Sequence, residues 1–358
     1  MQVVMGVTSA FTRVRNGVTY GVVKSGTSTV SRSFGRVGSV DATLMLADLI
    51  HEVERPSITV EHLLSSYIAS LQVEKSTVAD YESSARAWIA VFGSTNAEKV
   101  RKCDVSDASS RFLAQGRAVT TVRKRIRLLS AAYRDAIASG LLESDPTEGV
   151  RVRRSSFSRP NALVGNGLSS VVADLTVADG WLPVAAMLGL LCGLREGEVC
   201  ALKVADVDTS VNTVTVRRSI GRAPSGEYVK PTKTGRVRSV PLPPVLVERL
   251  APLVASMSPD AWLIGPSSGK WRSKWHLSVS WRRFAEEHGY VGTEGRRPTF
   301  HDLRHSYATA LVASGADVKL VQSLMGHSSA AMTLDVYATC DPSRIRAASA
   351  LVDGIFGN

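Results

Sequence analysis

Six residues of types that can act on a phosphodiester lie in the C-terminal half of the chain: Arg195, Lys233, His301, Arg304, His327 and Tyr337. An arginine offers a planar, permanently charged fork that matches two phosphate oxygens. A histidine can move a proton near neutral pH, and a tyrosine hydroxyl becomes a nucleophile once it loses its proton. Each residue taken alone is an ordinary surface or packing residue, so no single one of them indicates a function.

The residues around His301 predict the helix that carries it. Thr299 followed by Asp302 is an N-cap signature, so a helix is expected to begin at this point. His301 and Arg304 are three residues apart and are expected to share one face of that helix. A basic side chain and an imidazole that project together suit a phosphate group.

The downstream residues are expected to lie on two further helices. A second apolar helix is predicted to end at Gly326, which acts as a left-handed C-cap and exposes His327. Tyr337 is placed on a third, short helix, with Ser328 or Ser329 as its cap.

These motifs resemble those of a known family. The H-x-x-R pattern of His301 and Arg304, the Gly326-His327-Ser328-Ser329 motif and the following tyrosine resemble the C-terminal boxes of the tyrosine recombinases, which include phage integrases. Upstream, Gly193-Leu194-Arg195-Glu196-Gly197-Glu198-Val199 resembles the first box of that family. Pro231-Thr232-Lys233-Thr234-Gly235-Arg236, between two strand-like runs, resembles the turn that carries the family's catalytic lysine. The six elements occur in the family's order.

The resemblance implies a phosphodiester transesterification that uses no metal, ATP or other cofactor. Tyr337 would be the nucleophile, Arg195 and Arg304 the phosphate clamp, and Lys233 the general acid, while the two histidines act as base and hydrogen-bond donor. The product would be a 3′-phosphotyrosine intermediate. Three acids inside the boxes are interpreted as caps or as partners that orient these side chains: Glu196, Glu198 and Asp302.

The resemblance also implies a biological role. It predicts a site-specific recombinase that integrates or excises a bacteriophage or other mobile element as a homotetramer on double-stranded DNA, at core-type and arm-type sites. A DNA-bending host factor and an excisionase are the expected accessory partners. Two alternatives stay open, a type IB topoisomerase-like enzyme and a DNA-binding regulator without catalysis. The complete set of six residues argues against the regulator, and the basic N-terminal segment and C-terminal helix favour the recombinase.

Composition is consistent with a DNA partner. The 358 residues include 43 Lys and Arg against 32 Asp and Glu, a net charge of +11, which favours a polyanionic partner. Residues 1–10 show no signal peptide pattern, and no apolar run is long enough to span a membrane. The four cysteines form no C-x-x-C pair, and His301 and His305 lack a third metal ligand nearby. A reduced, cytoplasmic, nucleoid-associated protein is expected, in the host cytoplasm if it is phage-encoded.

The chain length predicts two or three domains, and periodicity divides it into four segments. Residues 1–55 predict a basic β-hairpin followed by a helix, interpreted by position, size and charge as an arm-type DNA-binding domain. A disordered basic tail is the alternative. The expected DNA contacts in this segment are Arg13, Arg15 and Lys24.

Residues 56–147 predict four amphipathic helices that resemble the family's core-binding domain. The fourth helix carries the expected DNA contacts Arg123, Lys124, Arg125 and Arg127. Residues 148–163 are interpreted as a basic linker that follows the phosphate backbone or, alternatively, as a solvated tether. Its expected contacts are Arg151, Arg153 and Arg154.

Residues 164–358 are predicted to form the catalytic domain, with a three-stranded antiparallel sheet and a C-terminal tail that docks on a neighbouring protomer. Trp271, Trp275 and Trp281 lie among arginines and lysines, either as core indoles or as a basic-aromatic patch. The expected fold class of the whole chain is mainly α with small antiparallel β-sheets (α+β).

Overall fold

The computed structural model describes residues 7–54, 58–153, 160–232 and 235–326. The chain divides into two compact units, Met1–Arg154 and Ser155–Asn358. The predicted mainly helical α+β architecture with small antiparallel sheets is confirmed. Among the described residues, no helix is both long enough and apolar enough to cross a membrane.

The first unit begins with a three-stranded antiparallel sheet, of strands β1 (Val7–Arg15), β2 (Val18–Ser25) and β3 (Ser28–Gly35) in the order β1-β2-β3. Helix α1 (Ser39–Glu54) covers one face of this sheet, where Val23, Phe34, Ala42 and Leu49 form a small core. The predicted hairpin corresponds to β2 and β3. Strand β1 was not predicted, because it is an edge strand whose side chains are mostly exposed and show no apolar alternation.

Four α-helices follow within residues 58–153, as predicted: α2 (Val60–Ser70), α3 (Lys75–Phe92), α4 (Lys102–Ala114) and α5 (Val119–Ala138). Thr59 caps α2 by accepting the backbone N–H of His62. Trp88 is fully buried between the helices, and its indole N–H donates to the carbonyl of Arg125 at 2.9 Å. These helices therefore share one core, and the Trp88 hydrogen bond joins α3 to α5 within it.

The second unit is mainly helical. Its helices are α6 (Gly165–Val177), α7 (Trp181–Leu191), α8 (Glu196–Cys200), α9 (Pro244–Ser256), α10 (Lys274–Glu287), α11 (Phe300–Ala313) and α12 (Val318–Met325). Helix α7 is buried on every side from Pro183 to Leu190, because its sequence is almost entirely apolar. Helix α11 packs against α7, so the chain segment just after α7 is held beside the start of α11.

The strands of this unit form two small sheets. Strands β4 (Val207–Asp208), β5 (Thr213–Val216) and β8 (Arg238–Pro241) make the predicted three-stranded antiparallel sheet. Strands β6 (Arg218–Ala223) and β7 (Gly226–Pro231) pair as a separate hairpin, which was not predicted. Their glycines and charged residues hide the alternation that indicates a strand.

The tryptophans have different environments. Trp281 is fully buried, and its indole N–H donates to the carbonyl of Pro298 at 2.9 Å. Trp271 packs edge-on against Trp262. Trp275 is 69% exposed on the first turn of α10. The tryptophan cluster is therefore partly core and partly surface.

Candidate active site

Helix α11 begins as predicted, and its first turns carry two of the candidate residues. Thr299 accepts the backbone N–H of Asp302, and the Asp302 carboxylate accepts the backbone N–H of Thr299 at 2.8 Å. This reciprocal capping box fixes the start of the helix. Arg304 lies one turn further on and faces the interior.

Arg304 is only 2% exposed, so it is a buried cation. Its Nη1 donates to the carbonyl of Gly193 at 2.6 Å, and its Nη2 donates to the carbonyl of Met325. Burial, together with the charge of Arg195, lowers the pKa of Arg304 to about 9, so it stays protonated at neutral pH. The guanidinium thus joins the loop after α7 to the end of α12.

Arg195 lies immediately before helix α8 and is half-buried. Its backbone N–H and its Nη1 both donate to the Glu198 carboxylate at 2.9 Å, and its Nη2 donates to the carbonyl of Gly326, also at 2.9 Å. Its side chain is 24% exposed. A guanidinium has five N–H donors, and these contacts with described residues engage its two terminal nitrogens through one hydrogen bond each.

The C-terminal end of α12 is surrounded by arginines. Three of them donate to consecutive backbone carbonyls: Arg238 to Leu324 (3.1 Å), Arg304 to Met325, and Arg195 to Gly326 (2.9 Å). The last carbonyls of a helix lack partners within the helix and carry partial negative charge, so cations stabilise them. Gly326 caps the helix in the left-handed conformation, as predicted, at φ +59°.

Glu198 is the counter-charge of this group. It is 1% exposed and forms ion pairs with both Arg195 and Arg238. Burial by itself would raise the pKa of Glu198, but the hydrogen bonds and charges of Arg238 and Arg195 outweigh burial and hold that pKa below its ordinary value. Glu198 therefore orients Arg195, as its interpretation from the sequence expected.

His301 lies at the exposed edge of the site, whereas Arg304 is directed inward. Its ring packs edge-on against His305, with centroids 4.7 Å apart. Partial burial, followed by the charges of His305 and Arg304, lowers the pKa of His301, so the neutral imidazole predominates at pH 7. A neutral imidazole can accept a proton. Among the described residues, no group of three His, Cys, Asp or Glu side chains is arranged to hold a metal ion.

The remaining predicted catalytic residues, Lys233, His327 and Tyr337, lie outside the described residues. In the chain, Lys233 falls between the end of β7 at Pro231 and the start of β8 at Arg238. His327 directly follows the arginine-capped end of α12. The roles of all six residues stay predictions.

The N-terminal residues predicted to contact DNA are exposed. Arg13, Arg15 and Lys24 lie on one face of the sheet, because Arg13 pairs with Tyr20 and Lys24 with Ser9 in register. That face is opposite to α1, and it also presents Phe11, which is 42% exposed. The sheet therefore carries three cations and an aromatic ring on its open face.

The other predicted DNA contacts are less uniform. On α5, Lys124 and Arg127 are exposed and Arg123 is half-buried, while the Arg125 guanidinium lies 4.4 Å from the centroid of the Phe112 ring. Arg125 therefore packs against the Phe112 ring. After α5, Arg151 and Arg153 are exposed, and Arg154 lies outside the described residues. DNA contact by these residues stays a prediction.

Arg238 is a site residue that the sequence interpretation missed. Its Nη1 and Nη2 donate to the two oxygens of Glu198 at 3.0 and 2.6 Å. Forty positions separate the two residues, and no local pattern connects them. Only the folded structure brings Arg238 on β8 beside Glu198 on α8 and the end of α12.

Comparisons with known proteins identify the family and the fold of the chain. Residues 172–344 match the phage integrase family model. The tyrosine recombinase XerC of Mycobacterium bovis (strain BCG / Pasteur 1173P2) is 30% identical over 240 residues, which cover 65% of this chain and 76% of that protein. The fold is similar to that of the Tn1549 transposon integrase in complex with a circular intermediate DNA, with a TM-score of 0.71, 22% identity, and coverage of 82% of this chain and 99% of that one. It is also similar to a λ integrase tetramer bound to a Holliday junction, with a TM-score of 0.63, 21% identity, and coverage of 91% and 94%.

Proposed function

Since this chain belongs to the tyrosine recombinase (phage integrase) family, we propose that it cleaves and rejoins specific DNA sites through a 3′-phosphotyrosine intermediate. The observation that carries the proposal is the arginine group at the end of α12. Arg195 and Arg304 are fixed there by backbone carbonyls, and Arg195 is also held by Glu198; His327 is the next residue of the chain. Two oriented guanidinium groups suit the two non-bridging oxygens of a phosphate.

In the proposed reaction, the Tyr337 hydroxyl attacks the scissile phosphorus. A tyrosine hydroxyl has an ordinary pKa of about 10, so it needs a base, and the neutral imidazole of His301 can accept its proton. The bond from phosphorus to the 5′-oxygen breaks as the bond to tyrosine forms, and Lys233 protonates the departing 5′-oxygen. Arg195 and Arg304 stabilise the negative charge that builds on the phosphate, with His327 as a further hydrogen-bond donor.

The products are a 3′-phosphate bound to the enzyme and a free 5′-hydroxyl. The phosphotyrosine linkage conserves the energy of the original bond, so a 5′-hydroxyl from a second strand can reverse the step without ATP. Strand exchange between two sites follows from this reversibility.

We further propose that the chain serves a mobile element and acts as a tetramer. Support comes from the matched structures, which are the Tn1549 transposon integrase and a λ integrase tetramer bound to a Holliday junction. The proposed domain division is an N-terminal arm-binding domain (1–55), a core-binding domain (56–147), a linker (148–163) and a catalytic domain (164–358). The open cationic face of the N-terminal sheet supports the arm-binding assignment.

A covalent-adduct assay tests the proposed function. Labelled duplexes that tile the DNA flanking the protein's own gene are incubated with the wild-type chain and with Tyr337→Phe, then resolved on SDS gels. We expect an SDS-resistant adduct only with the wild type, and equal DNA binding by both proteins in a native gel. An adduct with Tyr337→Phe would identify a different nucleophile, and no adduct with either protein would refute the proposed chemistry.

A further inference from the structure

We propose that Arg238 is a positioning residue for the reaction: it holds Glu198, and through Glu198 the Arg195 fork, in the orientation that receives the phosphate. This inference rests on the proposed function. It adds a residue on strand β8 to the machinery otherwise drawn from α8, α11 and α12.

The contacts of Arg238 are those of a bridging group. Its two terminal nitrogens bind both oxygens of Glu198, and its Nε donates to the carbonyl of Leu324 at 3.1 Å. Its side chain is 11% exposed, so water competes little for these bonds. One planar guanidinium therefore connects strand β8, the box of Arg195 and the end of α12.

Glu198 needs a second cation in order to hold Arg195 in one place. Its Oε1 accepts from both Arg195 and Arg238, and its Oε2 accepts from Arg238 and from the backbone N–H of Arg195. If Arg238 is removed, a buried carboxylate loses the side chain that contacts both of its oxygens. The carboxylate then shifts toward Arg195 or toward water, and either shift moves the fork of Arg195.

The hydrogen bonds of the three arginines to successive carbonyls make the position of the Arg195 fork depend on the end of α12 as well. Arg238, Arg304 and Arg195 cap three successive carbonyls, so the position of each guanidinium depends on the same helix end. Arg238 can therefore affect how the charge of the phosphate is stabilised without contacting the phosphate itself. Its loss should therefore matter most when the phosphate is anionic.

A substrate that lacks the phosphate charge separates this role from a purely structural one. A duplex that the wild type cleaves is prepared with either a normal phosphate or a neutral methylphosphonate at the scissile position. Cleavage rates on both are measured for the wild type, Arg238→Met, Arg238→Lys and Arg195→Met. The control is Arg249→Met, which removes another arginine that donates to carbonyls at a helix end, those of Thr176 in the last turn of α6 and of its C-cap Ala178.

We expect Arg238→Met to slow cleavage of the normal phosphate about 100-fold, the loss typical of a small misplacement of a catalytic group. On the methylphosphonate, Arg238→Met and Arg195→Met should both lie within about threefold of the wild type, because the charge that the forks stabilise is absent. On the normal phosphate, the cleavage rate of Arg238→Lys should lie between those of the wild type and Arg238→Met. A point charge cannot bind both oxygens of Glu198 together with the Leu324 carbonyl. Arg249→Met should cleave each of the two substrates at the wild-type rate.

Equal slowing of Arg238→Lys on both substrates would overturn the inference, because it would indicate loss of structure alone. So would wild-type rates for both Arg238 variants on the normal phosphate. If Arg238→Met does not fold, Arg238→Lys gives the same comparison. Failure of the proposed function is distinct, because the wild type itself would then form no adduct.

Discussion

The substitution Gly193→Ala tests how tightly the loop after α7 is built into the site. Gly193 has φ +64°, a left-handed conformation that costs alanine about 1–2 kcal/mol. An added Cβ would lie 2.4 Å from Cδ1 of Tyr307 and 3.0 Å from the sulfur of Met325. Overpacking of this kind costs about 1–3 kcal/mol, so the total loss should be about 2–5 kcal/mol.

The consequence should appear in both stability and chemistry. For a unit of this size, each kcal/mol corresponds to about 2–4 °C in Tm, so the catalytic unit should melt roughly 4–20 °C lower. The carbonyl of Gly193 also accepts from Arg304 at 2.6 Å, so a displaced loop should reduce adduct formation more than DNA binding. Circular-dichroism melting and the SDS-gel assay measure the two effects.

Gly289→Ala is the matched control. Gly289 has almost the same backbone angle, φ +65°, but nothing lies within 4 Å of an added Cβ. The Gly289→Ala variant should therefore lose only the cost of the left-handed conformation, about 1–2 kcal/mol of unfolding free energy, and keep full adduct formation. Equal destabilisation by the two substitutions would refute the reasoning, because the clash with Tyr307 would then contribute nothing.

Two further predictions concern the phosphate clamp and the N-terminal sheet. Arg195→Lys should reduce the cleavage rate almost as much as Arg195→Ala, because an ammonium cannot bind Glu198, the Gly326 carbonyl and a phosphate through one planar fork; cleavage within a few fold of the wild type would place the clamp elsewhere. Arg13→Gln together with Lys24→Gln should leave cleavage of a short core duplex unchanged but weaken binding to DNA that also contains the distal sites. The slope of log affinity against log salt should fall by about one for each phosphate that the variant no longer neutralises, and an unchanged slope would return this sheet to a role other than DNA binding.

Local patterns in the sequence determined several elements of this protein. The capping box of Thr299 and Asp302, the left-handed cap at Gly326 and the helices of residues 58–153 each depend on residues no more than about one turn apart, so their signals survive in the linear chain. The six residues that resemble the family's catalytic set could be predicted for the same reason, since each lies in a short box. Strand β1 and the hairpin of β6 and β7 escaped prediction because their residues lack the alternation that a half-buried strand shows.

Tertiary structure alone decided how the site is held together. The pairing of Glu198 with Arg238 spans 40 positions, and that of Arg195 with the Gly326 carbonyl spans 131, so no local pattern encodes either contact. Nothing in the sequence around Arg304 distinguishes a cation that projects to solvent from one that is 2% exposed and bound to two carbonyls. The reason is physical: a buried charge is tolerated only where distant segments supply its partners, and those segments meet only when the chain has folded.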